Sequence, residues 1–134
     1  MIVSDTNLIA HLYLEGETSP LARQVVLQDP DWAAPFLWRS EFRNTLVKCL
    51  RAGILERDKA FRILGAAESM MAGWECDVAS DDVLELAATS GCSAYDAEFV
   101  ALARDLRVPL VTTDKELLAK FPETALTPES FLAR

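Results

Sequence analysis

The amino-acid sequence predicts an α/β protein in which a parallel sheet is flanked by helices. Three observations support this prediction. Short apolar runs alternate with longer segments that carry apolar residues at helical spacing. The length of 134 residues suits a single domain with one core, spanning residues 1–134. Acidic residues directly follow two of the apolar runs, and parallel sheets bind ligands beyond the carboxyl ends of their strands.

Proline and glycine set most boundaries in the first half of the chain. Ser19 and Pro20 read as a helix cap followed by the first helical residue, Pro35 closes a weak strand, and Gly53 and Gly73 each stop a helix. The predicted strands are Ile2–Ser4 and Trp32–Ala34, and the predicted helices span about Asn7–Leu14, Pro20–Gln28, Leu37–Ala52 and Glu56–Ala72.

In the second half, hydroxyl-bearing and acidic residues mark the helix starts. Ser80 is predicted to cap a helix that runs to about Thr89, and Ser93 a helix that runs to Leu106. The remaining predictions are strands at Trp74–Val78 and Val108–Thr112, a short helix opened by Thr113 or Asp114, and a terminal helix capped by Thr127 before Pro128.

The net charge of −8 argues against a nucleic-acid partner, but the charge is unevenly distributed. Residues 39–62 hold seven basic and three acidic side chains, so this segment is positive and could bind phosphates. A solvated helical face would explain the same pattern. No apolar run is long enough to span a membrane. Three widely spaced cysteines form no disulfide or zinc pattern, which favours a reducing cytoplasm.

Four acidic residues occupy positions where folded chains usually avoid charge: Asp5, Glu41, Asp96 and Asp114. Asp5 and Asp114 end predicted strands, Asp96 lies on the inward face of a helix, and Glu41 flanks the apolar stripe of another. Buried carboxylates are costly unless they are paired or bound to metal. If the four converge, they would form a site for a hard cation such as Mg²⁺ or Mn²⁺.

Each acid also has a purely structural explanation. Asp5 and Asp114 could cap the helices that follow them. Ser93 and Asp96 fit a capping box with Asp at the third helical position, although Glu or Gln is more usual there. Glu41 could pair with Lys48 or be exposed.

Four segments together resemble the PIN-domain nucleases, and most closely the small bacterial toxins of VapBC-type toxin–antitoxin pairs. Any one segment is a weak signal, but their order and spacing are specific, and the similarity runs from Met1 to about Leu132. The segments are Asp5-Thr6-Asn7 after the first strand, Ser40-Glu41-Phe42-Arg43-Asn44 on a helix, Ser93-Ala94-Tyr95-Asp96-Ala97 at a helix start, and Leu110-Val111-Thr112-Thr113-Asp114.

This resemblance implies a three-layer α/β/α fold with a parallel sheet of about five strands. It implies a metal-dependent ribonuclease, usually dimeric and, in toxin pairs, inhibited by an antitoxin encoded beside it. Mg²⁺ or Mn²⁺ would be held mainly by Asp5 and Asp96, with Glu41 and Asp114 supporting metal or water. The resemblance gives Thr6, Asn7 and Thr112 the role of hydrogen-bonding neighbours.

Metal-activated water makes a side-chain nucleophile unnecessary. The single histidine, His11, lies one helical turn from Asn7 with no partner in evidence, so we predict a structural role for it. Binding of the RNA backbone would fall to Arg39, Arg43 and Lys48, which lie on the same helix as Glu41.

Three other readings stay open at the level of sequence. A housekeeping RNA-processing nuclease would carry the same site. A phosphotransferase would use Asp5 as a covalent nucleophile, although such enzymes typically have a second Asp where this chain has Asn7. A non-catalytic interaction module would agree with the mean hydropathy of +0.12, which suggests a buried partner surface.

Overall fold

The computed structural model describes residues 1–134 and contains five strands and eight helices. The strands are β1 (Ile2–Ser4), β2 (Trp32–Pro35), β3 (Glu75–Cys76), β4 (Leu110–Val111) and β5 (Ala125–Leu126). The helices are α1 (Thr6–Tyr13), α2 (Ser19–Gln28), α3 (Leu37–Arg51), α4 (Arg57–Met71), α5 (Ser80–Ser90), α6 (Ala94–Leu106), α7 (Lys115–Lys120) and α8 (Pro128–Leu132).

The strands form one parallel sheet in the order β3-β2-β1-β4-β5. β1 is central and pairs with β2 on one side and with β4 on the other. All five carboxyl ends therefore lie along one edge of the sheet. The prediction of a parallel α/β sheet, and the five strands implied by the resemblance, are confirmed.

Helices cover both faces of the sheet, giving the expected three layers. α6 contacts β1, β2 and β4 and carries α5 on its outer side, while α1, α2, α3, α4 and α8 contact one another in a second group. α6 is almost wholly apolar between Ala97 and Ala103, so most of its circumference is buried. A single cluster of 27 buried apolar residues extends from Ile2 to Phe131. No helix has the length and apolar character needed to cross a membrane.

Two of the predicted helix caps are wrong. α2 begins after Thr18, and Ser19 lies inside the helix, where its Oγ donates a hydrogen bond to the Leu14 carbonyl at 2.8 Å. α5 begins after Ala79, so Ser80 is its first residue rather than its cap. In both cases the cap position lies one residue before the predicted serine. The caps predicted at Ser93 and Thr127 are confirmed, since each accepts a hydrogen bond from a backbone N–H three residues later.

The observed strand boundaries differ from the predicted ones more than the helix boundaries do. β3 and β4 each span two residues, whereas the sequence predicts five-residue runs in both places. Ala125–Leu126 was not predicted from its pattern, because two residues are too few to show the alternation that marks a strand. Gly53 and Gly73 do stop the helices before them, with φ angles of 69° and 88° that side-chain-bearing residues rarely adopt.

Candidate active site

The neighbouring strands β1 and β4 bring two acidic residues to the same edge of the sheet. Ser4 pairs with Val111, so that Asp5 and Thr112 are the next residues of the two strands. Thr112 Oγ1 donates a hydrogen bond to Asp5 Oδ2 and accepts one from the backbone N–H of Asp114 at 2.9 Å. Thr112 thereby links the two acids.

Asp5 is buried, with only 5% of its surface exposed. It caps α1 by accepting the Leu8 backbone N–H at 2.9 Å, so the capping explanation is confirmed for this residue. The pKa of Asp5 is raised from 3.8 to about 6, with burial as the main cause. The hydrogen bonds from Thr112 and Leu8 oppose this shift, and the charges of Asp114 and Glu41 add to it. Asp5 is therefore a helix cap and a destabilised buried acid at once.

Glu41 reaches the site from the middle of α3. Thr6, the first residue of α1, donates its hydroxyl to Glu41 Oε1 at 2.8 Å. Glu41 is half-buried, and burial followed by the charge of Asp96 raises its pKa. Its partner is therefore Thr6 rather than Lys48, and the alternative of an exposed or Lys48-paired Glu41 is wrong.

Asp96 and Asp114 stand at the starts of α6 and α7. The Ser93 hydroxyl accepts the Asp96 backbone N–H at 3.0 Å, and Asp114 Oδ1 caps α7 by accepting two backbone N–H groups at 2.8 and 3.1 Å. Burial, then the charges of Asp114 and Glu116, raise the pKa of Asp96. The capping role of Asp114 is confirmed, and its charge also acts on Asp96.

All four acids line one small cavity of about 50 Å³. No Lys or Arg belongs to its lining. The lining residues are Asp5, Thr6, Asn7, Glu41, Asp96, Phe99, Asp114 and Leu117. Among the predicted supporting residues, Thr6 and Asn7 therefore face the cavity, and Thr112 acts from behind through Asp5.

The donor chemistry of this cavity fits a hard divalent cation. Carboxylate oxygens are the ligands that Mg²⁺ and Mn²⁺ prefer. Burial is the main cause of the raised pKa values of Asp5, Glu41 and Asp96, and the charges of neighbouring acids add to it. The charge of Lys120 partly offsets this effect at Asp96. The side chains do not converge on one point, since no group of three or more His, Cys, Asp or Glu residues is placed to hold a metal ion. The fit is one of chemistry rather than of preformed ligand geometry.

The three predicted RNA-binding residues do not line the acidic cavity. Arg39 is bound by Glu75, which accepts hydrogen bonds from Nε at 2.5 Å and from Nη2 at 2.7 Å. Arg43 is exposed and lines an apolar groove between α3 and α4. Lys48 is exposed and lies seven residues after Glu41, which places both on the same side of α3.

Two further titratable groups lie near the site. His11 is half-buried, with its Nε2 3.4 Å from Thr113 Oγ1, and burial lowers its pKa. It does not line the cavity. Glu98, which the sequence reasoning missed, is half-buried, and burial followed by the charge of Glu41 raises its pKa. An acid inside the otherwise apolar run 97–103 was the signal that would have revealed it.

Comparison with known proteins finds sequence similarity over nearly the whole chain. The model of the PIN domain family matches residues 2–123. Ribonuclease VapC3 from Pyrobaculum aerophilum is 32% identical over 124 residues, which is 90% of this chain and 95% of that protein.

Solved structures share the fold. The crystal structure of PAE2754 from Pyrobaculum aerophilum superimposes with a TM-score of 0.79 at 27% identity, covering 99% of this chain and 94% of that one. A toxin–antitoxin complex from Klebsiella pneumoniae superimposes with a TM-score of 0.70 over 96% of this chain and 98% of that one. At 18% identity, this second likeness concerns the fold alone.

Proposed function

This chain belongs to the PIN domain family, and from that premise we propose that it is a metal-dependent endoribonuclease, the toxin of a toxin–antitoxin pair. One observation carries the proposal: four carboxylates from four separate elements line a single cavity at the carboxyl edge of the sheet. The relative named as a ribonuclease supports RNA as the substrate.

Asp5 and Asp96 would hold Mg²⁺ or Mn²⁺, with Glu41 and Asp114 in support. When bound, such a cation lowers the pKa of a water ligand and neutralises charge that develops on the phosphate. The chain itself would orient the acids. Thr112 fixes the Asp5 carboxylate. Thr6 engages Glu41 Oε1 and leaves Oε2 to accept a hydrogen bond from water or substrate.

The phosphotransferase reading is disfavoured by the residue two positions after Asp5. Enzymes that use an Asp as a covalent nucleophile after the first strand typically carry a second Asp at that position. Asn7, which stands where a second Asp would be expected, is exposed at the cavity.

Lys48 is the first candidate for contact with the RNA backbone, because it is exposed and lies on the Glu41 side of α3. Arg43 is also exposed but faces the groove toward α4. Arg39 remains a proposed contact, with its charge largely offset by Glu75.

We propose an antitoxin and a second copy of the chain as protein partners, in the cytoplasm. The apolar groove between α3 and α4 supports a protein partner, because the exposed Phe61 lines it beside Val47 and Leu50. Three free cysteines suit a reducing compartment. The housekeeping alternative would share the chemistry, and growth arrest on expression, relieved by the product of a neighbouring gene, separates the two.

The test is hydrolysis of single-stranded RNA by the purified protein. We expect cleavage with Mg²⁺ or Mn²⁺, none in EDTA, and a loss of at least about a hundredfold in Asp5→Asn, which keeps the shape but not the charge. His11→Ala is the control and should retain most activity. Cleavage that continues in chelator would rule out the metal mechanism.

A further inference from the structure

A second and larger recess opens along the same edge of the sheet as the acidic cavity. It has a volume of about 560 Å³ and lies where β2 and β3 end, between the starts of α5 and α6. We call it the side cleft. The side chains that give it its character are Phe36, Asp77, Ser80, Val83, Leu84 and Glu98.

The side cleft is continuous with the acidic cavity in two ways. The sheet order places β2 directly beside β1, and neighbouring strands are about 4.8 Å apart, so the two recesses are next to each other. α6 forms a wall of both, since Asp96 lines the cavity while Glu98 lines the cleft.

The walls of the side cleft are apolar and open to water. Phe36 follows β2 and is 50% exposed, and Leu84 on α5 is 70% exposed. Large apolar side chains are seldom left open as neighbours without a reason. An aromatic ring beside a nuclease site has a natural partner, because unstacked bases of single-stranded RNA stack on aromatic side chains.

The polar groups of the side cleft select the kind of ligand. Asp77 and Glu98 are hydrogen-bond acceptors when ionised, Ser80 can donate or accept, and no Lys or Arg lines the recess. A phosphate would be repelled. A flat, uncharged ring that carries N–H donors is attracted, and acidic side chains accept hydrogen bonds from base amino groups.

We propose that the side cleft binds one unstacked nucleobase of the RNA substrate and prefers a base with an exocyclic amino group. This proposal rests on the proposed function, because the base belongs to the strand whose phosphate lies at the acidic cavity. Phe36 stacks on the base and Asp77 accepts its amino group. Adenine and cytosine present such a group, whereas uracil presents a carbonyl oxygen in its place. The chain therefore selects the sequence that it cuts.

The test measures binding separately from cleavage. Fluorescein-labelled oligo(rA), oligo(rC) and oligo(rU) of equal length are titrated with the protein in EDTA and followed by anisotropy. A pool of random single-stranded RNA is cut in Mn²⁺, and the ends are sequenced for base preference beside the cut. The variants are Phe36→Ala, Phe36→Tyr, Asp77→Asn and Leu84→Ala, with Leu27→Ala as the control for an exposed leucine outside the cleft.

We expect wild type to bind oligo(rA) and oligo(rC) more tightly than oligo(rU). Phe36→Ala should weaken binding of the preferred oligomers by about tenfold, and Phe36→Tyr, which keeps the stacking ring, should restore it. Asp77→Asn should bring the affinities for oligo(rC) and oligo(rU) closer together. Leu84→Ala should weaken binding more than Leu27→Ala does.

Equal affinity of wild type for the three oligomers would overturn the proposal. So would affinity ratios between the oligomers that are the same in wild type, Phe36→Ala and Asp77→Asn. So would a change in oligomeric state on Phe36→Ala, seen by sedimentation without any change in base preference, because the cleft would then be an interface between copies. If wild type selects bases through Phe36 but cuts no RNA, the base-binding cleft stands and the nuclease proposal falls.

Discussion

At the scale of single residues, two explanations that compete in the sequence are both true in the structure. Asp5 and Asp114 cap α1 and α7, and both also line the acidic cavity. A cap orients a carboxylate by one or two N–H groups and leaves lone pairs for another partner. Capping therefore positions these acids for chemistry and is no argument against it.

The first prediction concerns Asp5 and pH. Its pKa is about 6 in the folded protein against an ordinary 3.8, so the folded form binds the proton more tightly. The free energy of unfolding should therefore fall as pH rises from about 4 to about 6, by up to about 3 kcal/mol from this group. The destabilisation caused by ionised Asp5 is absent below this pH window and complete above it.

Urea unfolding of wild type and Asp5→Asn in EDTA, at pH 4, 5, 6 and 7 chosen to bracket that window, measures this dependence. The variant cannot titrate at this position, so its stability should vary less across the series. Because Glu75 has a lowered pKa and acts in the opposite direction, the difference between the two proteins is the quantity to compare. Parallel pH curves would mean that Asp5 is not a buried acid with a raised pKa.

Asp5, Asp96 and Asp114 could be found from sequence because strand ends and helix starts are marked by short local signals. Glu41, in the middle of α3, was found from its place beside an apolar stripe and from the resemblance.

The resemblance named Thr6 and Thr112 as hydrogen-bonding neighbours, but no local pattern shows which acid each one contacts. Thr6 and Glu41 are 35 residues apart, and Thr112 and Asp5 are 107 apart, so only the tertiary fold brings them together. Glu98 was missed although it stands inside the apolar run 97–103, and its interaction with Glu41, which lies on another helix, has no local signal.

At the scale of elements, α3 carries an acid of the site on one side and an ion pair on the other. Glu75 on the edge strand β3 accepts hydrogen bonds from Trp38 and Arg39 at the start of α3, and Arg39 also reaches Glu68 on α4 at 3.5 Å. The sequence suggested Arg39 as an RNA ligand because its partner Glu75 is 36 residues away and could not be recognised. This ion pair holds β3, α3 and α4 together.

A second prediction separates the basic residues of α3. Lys48→Gln should weaken RNA binding and reduce the slope of log affinity against log salt by about 0.7, the contribution of one phosphate contact to a single strand. Arg39→Gln should alter that slope less, because Glu75 already offsets its charge, and should lower thermal stability instead. Anisotropy titrations at several salt concentrations give the slopes. An unchanged slope in Lys48→Gln would mean that this side of α3 does not meet RNA.

The short strands mark the limit of prediction for elements. Helices longer than ten residues were found with small boundary errors, because apolar spacing and glycine stops reinforce each other over several turns. β5 spans two residues and forms because Leu110 and Val111 of β4 offer it a paired edge. No local pattern can reveal a strand whose existence depends on its neighbour.

At the scale of the whole molecule, an acidic chain carries an acidic site. The net charge is −8, and the four clustered carboxylates add mutual repulsion that the folded state must tolerate. A cation that binds only the folded form relieves this repulsion, and stabilises the fold by about 2.7 kcal/mol at a hundredfold excess over its dissociation constant.

The third prediction follows from that linkage. Mg²⁺ should raise the melting temperature of wild type. Asp96→Asn should melt higher than wild type in EDTA, because it removes one of the repelling charges, and should gain less from Mg²⁺. Scanning calorimetry at neutral pH tests both statements. If Asp96→Asn is less stable than wild type in EDTA and gains as much stability from Mg²⁺, then Asp96 only stabilises the start of α6 and does not bind the cation.

The central claim is that the four acids form one cation site at which RNA is cut. Its most direct test is a Mn²⁺ titration of wild type and Asp96→Asn, in which calorimetry measures binding and RNA cleavage is followed in parallel. We predict that in wild type cleavage rises along the same curve as Mn²⁺ occupancy, and that Asp96→Asn binds Mn²⁺ at least about tenfold more weakly and cuts no RNA even near saturation. Equal binding and cleavage in the two proteins, or cleavage by wild type before any Mn²⁺ is bound, would contradict the account.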